Sequence, residues 1–150
     1  MLHTVATFEE IPPDLAMWHL RLTQQLVDGL PLLVADFDDR VLGYAVASMW
    51  RPRSAYRYTV EDSVYLRPDA MGRGVGSQLL AALIEICAQS GKHQMIAVVA
   101  QPNPASLALH QAHGFQVTGR LPHVGYKQGR WVDTTLMQRT LEPIPEIALP

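Results

Sequence analysis

Residues 61–80 read EDSVYLRPDAMGRGVGSQLL, and this stretch decides the fold. Val60, Val64 and Leu66 supply an extended, partly apolar run, which Pro68 and Asp69 break. Gly72, Gly74 and Gly76 follow at every second position. From Ser77 the pattern turns helical, with Leu79, Leu80, Leu83, Ile84 and Ile86 at spacings of three and four. The stretch predicts a strand, a glycine-rich turn and the start of a helix. Glycines there let the backbone approach a ligand and leave N–H groups free at the positive end of a helix dipole, a site for phosphate. An ordinary glycine-rich strand-to-helix turn reads the same way. A dinucleotide fingerprint needs a glycine where Leu79 stands, and the Gly-Lys-Ser/Thr ending of a nucleoside triphosphate loop is absent.

Composition narrows the class. The chain has 150 residues, enough for one domain (1–150) with a real core, and 48% of them are apolar, which excludes a disordered chain. A net charge of −2 makes no case for nucleic acid or an anionic membrane surface as partner. Six histidines are scattered, with no Cys/His cluster at metal spacing, so no metal is expected. Cys87 is the single cysteine; it forms no internal disulfide, and a reducing cytoplasm fits. No apolar run approaches the ~20 residues of a membrane span, and no signal peptide is visible. Pro143, Pro145 and Pro150 predict an irregular tail over residues 142–150.

The remaining elements follow from local chemistry. Met1 to Glu10 reads as extended. Pro12, Pro13 and Asp14 signal a helix start; Leu15, Trp18, Leu22, Leu26 and Val27 continue at helical spacing, and Gly29 ends it. Two apolar runs, Pro31 to Phe37 and Val41 to Met49, flank Asp38-Asp39-Arg40 and predict a hairpin. Lys92 to Ala100 is the strand after Gly91 closes the helix. Asn103 and Pro104 predict a helix start, with Asn103 as cap. Gly114 to Gly119 begins a strand, Leu121 to Lys127 a connecting segment, and Trp131 to Leu141 the last strand.

The loop Trp50 to Arg57, WRPRSAYR, sets three arginines beside Trp50 and Tyr56. It is a solvated basic loop, or it recognises a substrate carboxylate or phosphinate, which a guanidinium fork binds with two hydrogen bonds.

Several motifs together are similar to those of one family. Met71-Gly72-Arg73-Gly74-Val75-Gly76 resembles the Arg/Gln-x-x-Gly-x-Gly/Ala acyl-CoA pyrophosphate motif of the GNAT superfamily of N-acetyltransferases. Asn103 to Phe115 resembles that superfamily's second acetyl-CoA motif. Val5 to Glu10, Trp50-Arg51-Pro52, Thr59 to Tyr65 and Val124 to Trp131 are similar to its phosphinothricin and methionine sulfoximine N-acetyltransferase branch.

The resemblance implies an α/β (α+β) GNAT fold: a mixed, mostly antiparallel sheet flanked by helices. It implies a strand and a helix ahead of Val5, which these residues do not contain. A shortened sheet would expose a strand edge. The implied reaction is direct acetyl transfer from acetyl-CoA to the amine of phosphinothricin, methionine sulfoximine or methionine sulfone. Other acceptors (a peptide N-terminus, a polyamine, an aminoglycoside) stay open, as does a CoA-binding protein without turnover. This branch also implies a homodimer.

Site residues follow from the same resemblance. Glu61 occupies the position of the general base, because the amine must be neutral to attack a thioester; otherwise it is an exposed strand carboxylate. The backbone of Val64, Tyr65 and Leu66 would pair with the pantetheine arm, with one N–H on the thioester oxygen. Met71, Gly72, Arg73, Gly74, Val75, Gly76 and Ser77 would hold the pyrophosphate, although Met71 departs from the usual Arg or Gln. Asn103 would touch the cofactor, cap its helix, or both. His110 would protonate the leaving thiolate or pack on its helix. Arg51, Tyr56 and Arg57 would line the acceptor site.

Overall fold

The computed structural model describes residues 11–141. The extended reading of residues 1–10, including the Val5–Glu10 motif, and the tail at 142–150 lie outside them. The described residues form three helices and six strands: α1 (Leu15–Asp28), β1 (Leu32–Phe37), β2 (Arg40–Met49), β3 (Thr59–Leu66), α2 (Val75–Gln89), β4 (Gln94–Ala100), α3 (Pro104–Ala112), β5 (Gln116–Lys127) and β6 (Arg130–Thr140). The strands make one sheet in the order β1-β2-β3-β4-β6-β5. Only β3 and β4 run parallel, and α2 supplies the crossover between them.

Local chemistry accounts for the boundaries. Asp14 caps α1 by accepting from the Met17 amide, and Gly29 ends it at φ 63°. Asp38 and Asp39 both take positive φ, 49° and 57°, so β1 and β2 meet through the two-residue turn that matches strand twist. Asn103 caps α3, with its side chain accepting from the Ser106 amide, and Pro104 fills the first helical position.

The core lies between α2 and the sheet. Leu79, Leu80, Leu83, Ile84 and Cys87 pack with Ala45, Ala47, Val60, Met95 and Ala97. Each fully buried leucine contributes about 1.5–3 kcal/mol relative to exposure. The alanines on β2 leave room for the helix to approach. Cys87, not Ile86, completes the buried face: Ile86 is exposed because it turns away from the sheet.

Two readings change. Leu121 to Lys127 is strand, not connection. The irregularity between Leu121 and Gly125 lets β5 stay paired with β6 past Pro122. The apolar positions of α1 are not a core face among the described residues: Leu15, Leu22, Leu26 and Val27 are exposed. What holds α1 is Trp18, edge-on to Tyr44 at 5.2 Å, and Gln25, which donates to the Ala47 carbonyl at 2.8 Å.

Candidate active site

The parallel ladder between β3 and β4 is short. It pairs Thr59 with Gln94 through Asp62 with Ala97 and stops, while β3 continues to Leu66 and β4 to Ala100. Beyond Asp62 the two strands are held only from their outer sides, by β2 and β6. The sheet therefore opens at its centre.

Parity decides which groups face the opening. The Arg67 amide donates to the Leu42 carbonyl of β2 at 2.8 Å. Backbone groups of alternate strand residues point to opposite edges. Tyr65 and Ser63 thus also turn toward β2, while Val64 and Leu66 direct their N–H and C=O toward the split. The Tyr58 carbonyl has the same parity and accepts from His93 and Gln94 on the β4 side. Val64 and Leu66 match the expectation of free backbone groups. Tyr65 does not: its backbone is spent on β2, and its ring stacks on Tyr44 at 4.8 Å.

The glycine loop closes one end of this opening. Gly72 and Gly74 stand at φ 70° and 81°, conformations that favour glycine, and a Cβ at either would meet open space. Gly74 is the N-cap of α2 and makes no side-chain cap. The first-turn amides of α2, from Val75, Gly76 and Ser77, have no partner four residues back. They are the donors that suit a pyrophosphate. Met71 contributes less than its place in the motif implies. Its amide bonds back to the Pro68 carbonyl at 3.4 Å, and its side chain is exposed. The Ser77 hydroxyl lies 2.8 Å from Nε2 of His113 and ties the start of α2 to the end of α3. Arg73 is exposed beside the loop.

Glu61 and Asp62 sit where the strands part and face opposite sides of the sheet. Burial raises the Glu61 pKa and the charge of Asp62 adds to it, while Arg51 opposes both. Arg51 also lies over the Trp50 ring at 4.1 Å. Arg57 lies over Tyr58 at 4.5 Å and donates to the Ser54 carbonyl, so it holds its own loop. Tyr56 is exposed at the end of a short 3-10 turn, Ser54–Tyr56.

Asp62 was missed in the sequence. Its Oδ2 lies 2.9 Å from Nε2 of His110, and both residues are buried, at 5% and 4% exposure. His110 Nδ1 donates to the Ser106 carbonyl at 2.7 Å, and Phe115 packs edge-on to the ring. The ring is buried with both nitrogens engaged, which fits the packing alternative for His110 and excludes a position on the helix surface. The signal was available in the alternation: next to Glu61, Asp62 must face the core and needs a partner there. Asn103 spends its Oδ1 on the Ser106 amide at 3.1 Å, so capping is its observed role.

A second, polar groove of about 790 Å³ is lined by Gln94, His113, Gln116, Gln138 and Arg139, among others. It has no carboxylate to serve as base, and the split sheet is the better reaction site. Among the described residues no group of three metal-ligating side chains occurs.

An opened sheet with free strand amides, an uncapped glycine-rich helix start beside it, and a partly buried carboxylate at the parting point define a CoA-dependent N-acetyltransferase. Comparison with known proteins agrees. Residues 3–115 match the acetyltransferase (GNAT) family, and the chain belongs to it. Phosphinothricin N-acetyltransferase of Alcaligenes faecalis is 54% identical over 137 residues, which cover 91% of this chain and 70% of that protein. The L-methionine sulfoximine/L-methionine sulfone acetyltransferase of Pseudomonas aeruginosa is 46% identical over 142 residues, covering 94% and 83%. A phosphinothricin acetyltransferase from Sinorhizobium meliloti, solved with acetyl-CoA, superposes with a TM-score of 0.91 at 45% identity, covering 99% of this chain and 83% of that one. Acetyl-CoA is the acyl donor, and the fold is the GNAT fold that the motifs implied.

Proposed function

We propose that this enzyme acetylates the amino group of a small, anionic, amino-acid-like substrate of the phosphinothricin, methionine sulfoximine or methionine sulfone type. The observation that carries this reading is the partly buried Glu61 where β3 and β4 part, with the Arg51 charge opposing the rise of its pKa. A cation beside the base suits an acceptor that brings both an amine and an acidic group, and it disfavours polycations. The names of the most similar relatives support the same substrate class.

In this reading Glu61 takes a proton from the acceptor ammonium, directly or through water. The neutral amine attacks the thioester, and the Val64 or Leu66 amide holds the developing oxyanion. Gly72 to Ser77 grip the pyrophosphate, with Arg73 alongside. Arg51 holds the acidic group of the acceptor, and Tyr56 and Arg57 shape the loop around it. His110 supplies the proton for the thiolate. Residues 1–150 act as one domain in a reducing cytoplasm, where a lone buried cysteine is stable. We also read the enzyme as a homodimer, supported by Tyr126 and Trp131, a ring pair 5.0 Å apart on the β5–β6 hairpin that remains exposed.

The test is release of free CoA thiol from acetyl-CoA with phosphinothricin, methionine sulfoximine, methionine sulfone, spermidine, an aminoglycoside and an N-terminal peptide. Turnover confined to the amino-acid analogues, and lost in Glu61→Gln, is the expected result. Tighter melting on acetyl-CoA binding with no turnover of any amine would sink the enzymatic reading in favour of a CoA-binding protein.

A further inference from the structure

The reading of His110 as acid leaves a problem that its surroundings solve. A carbonyl oxygen only accepts, so the 2.7 Å contact to Ser106 requires a proton on Nδ1. The 2.9 Å contact to the Asp62 carboxylate requires a second proton between Nε2 and Oδ2. The pair therefore holds one mobile proton in a buried place. Asp62 occupies the last position at which β3 pairs with β4, so this proton is stored at the apex of the split. The other carboxylate oxygen, Oδ1, is buried and has no hydrogen-bond partner, which leaves the site able to accept a further donor.

We propose that Asp62 is a positioning residue for acetyl transfer: its carboxylate keeps His110 doubly protonated, so that Nε2 has a proton for the departing CoA thiolate. This inference rests on the acetyltransfer reading of the split sheet. In the step, the acceptor N–C bond forms and the thioester C–S bond breaks, with its electron pair going to sulfur. The Nε2 proton moves to that sulfur. His110 is left neutral, with its Nδ1–H still on Ser106, until the pair is reprotonated. Of the two protons that the ammonium loses, one passes through Glu61 to solvent before attack and the other leaves the tetrahedral intermediate for solvent; one proton taken up from solvent restores the pair, so one is released net.

Neighbouring groups do not titrate in its place. Glu61 of β3 is raised by burial and by the charge of Asp62, with Arg51 opposing. Burial pushes the Cys87 thiol of α2 up to about 11. His113 of α3 is lowered by burial, Arg139 of β6 and His110 itself. For His110 burial opposes the charge, but the bond and charge of Asp62 and the Ser106 carbonyl outweigh it and raise the pKa.

Two measurements test the proposal. The first is a titration of the imidazole ¹⁵N signals of the full chain. His110 should remain doubly protonated well above the ordinary value of 6.5 in wild type, and lose a proton at lower pH in Asp62→Asn. The second is the pH profile of kcat with the best amine. In Asp62→Asn its alkaline limb should move down by at least about one unit, with the KM for acetyl-CoA held. A wild-type His110 that titrates near 6.5, or an Asp62→Asn profile lowered equally at every pH, would overturn the proposal. If Asp62→Asn does not fold, the wild-type titration decides alone. No turnover in wild type would remove the acetyltransfer reading and the role with it, while the ring signals would still report the pair.

Discussion

A Cβ atom on Gly76 would stand 3.1 Å from Cδ1 of Leu66. The first turn of α2 thus rests on the strand residue whose amide faces the split, and the two halves of the donor site are fixed to each other. Gly76→Ala should be tolerated, because a leucine methyl can shift by a few tenths of an ångström and alanine favours the helix by up to about 1 kcal/mol. Gly76→Val should displace Leu66 and raise the KM for acetyl-CoA at least tenfold, the effect of about 1.4 kcal/mol of lost binding. Steady-state kinetics on both variants checks this.

Glu61 carries a cost in stability that its chemistry requires. Its pKa in the folded protein is raised above the ordinary 4.5 by burial and Asp62, against Arg51. A raised carboxyl favours folding below the unfolded pKa, and that contribution is lost as pH rises through the folded pKa. Glu61→Gln should therefore raise Tm near pH 7 while abolishing turnover, and the gain should vanish near pH 4. Arg51→Ala should raise the Glu61 pKa further and move the acid limb of kcat/KM to higher pH. Thermal melts and pH–rate profiles distinguish these effects.

Cys87 should play no chemical part. Its thiol is fully buried and pushed up to about 11, mainly by burial, so little thiolate exists near neutral pH. Cys87→Ala should keep turnover and lose roughly 1–2 kcal/mol of stability through the space it leaves. Native enzyme treated with iodoacetamide at pH 8 should keep full activity; rapid inactivation matched to labelling of Cys87 would contradict direct transfer.

Asn103→Ala should cost about 1 kcal/mol in urea denaturation, as its bond to the Ser106 amide is lost. Asn103→Ser should restore that stability, because serine caps as well. If the KM for acetyl-CoA follows stability across the two variants, capping is the whole role of Asn103. A raised KM in Asn103→Ser would show a separate contact with the donor.

Much of the fold was legible because it is written in local chemistry. Asp14, Gly29, Asp38, Asp39, Asn103 and Pro104 end or turn elements by their own backbone and capping preferences, which act over a few residues. The glycine run from Gly72 to Gly76 announced a strand-to-helix turn for the same reason. The strand character of Leu121 to Lys127 was not legible because Pro122 cannot donate to a ladder and His123 takes positive φ, so only pairing with β6 holds the segment extended.

The sequence by itself determined the class of the protein, through several motifs that together resemble those of one family, and it marked the glycine run and Glu61 as candidates. Tertiary structure alone decided the rest. Where β3 leaves β4 depends on what holds each strand from outside, and that sets which amides are free: Val64 and Leu66, not Tyr65. The Arg51 charge acts on the Glu61 pKa because β2, which leads into the Arg51 loop, pairs with β3. Asp62 and His110, 48 residues apart, meet because α3 packs over the same face as the core, where a buried carboxylate and a buried imidazole each need the other.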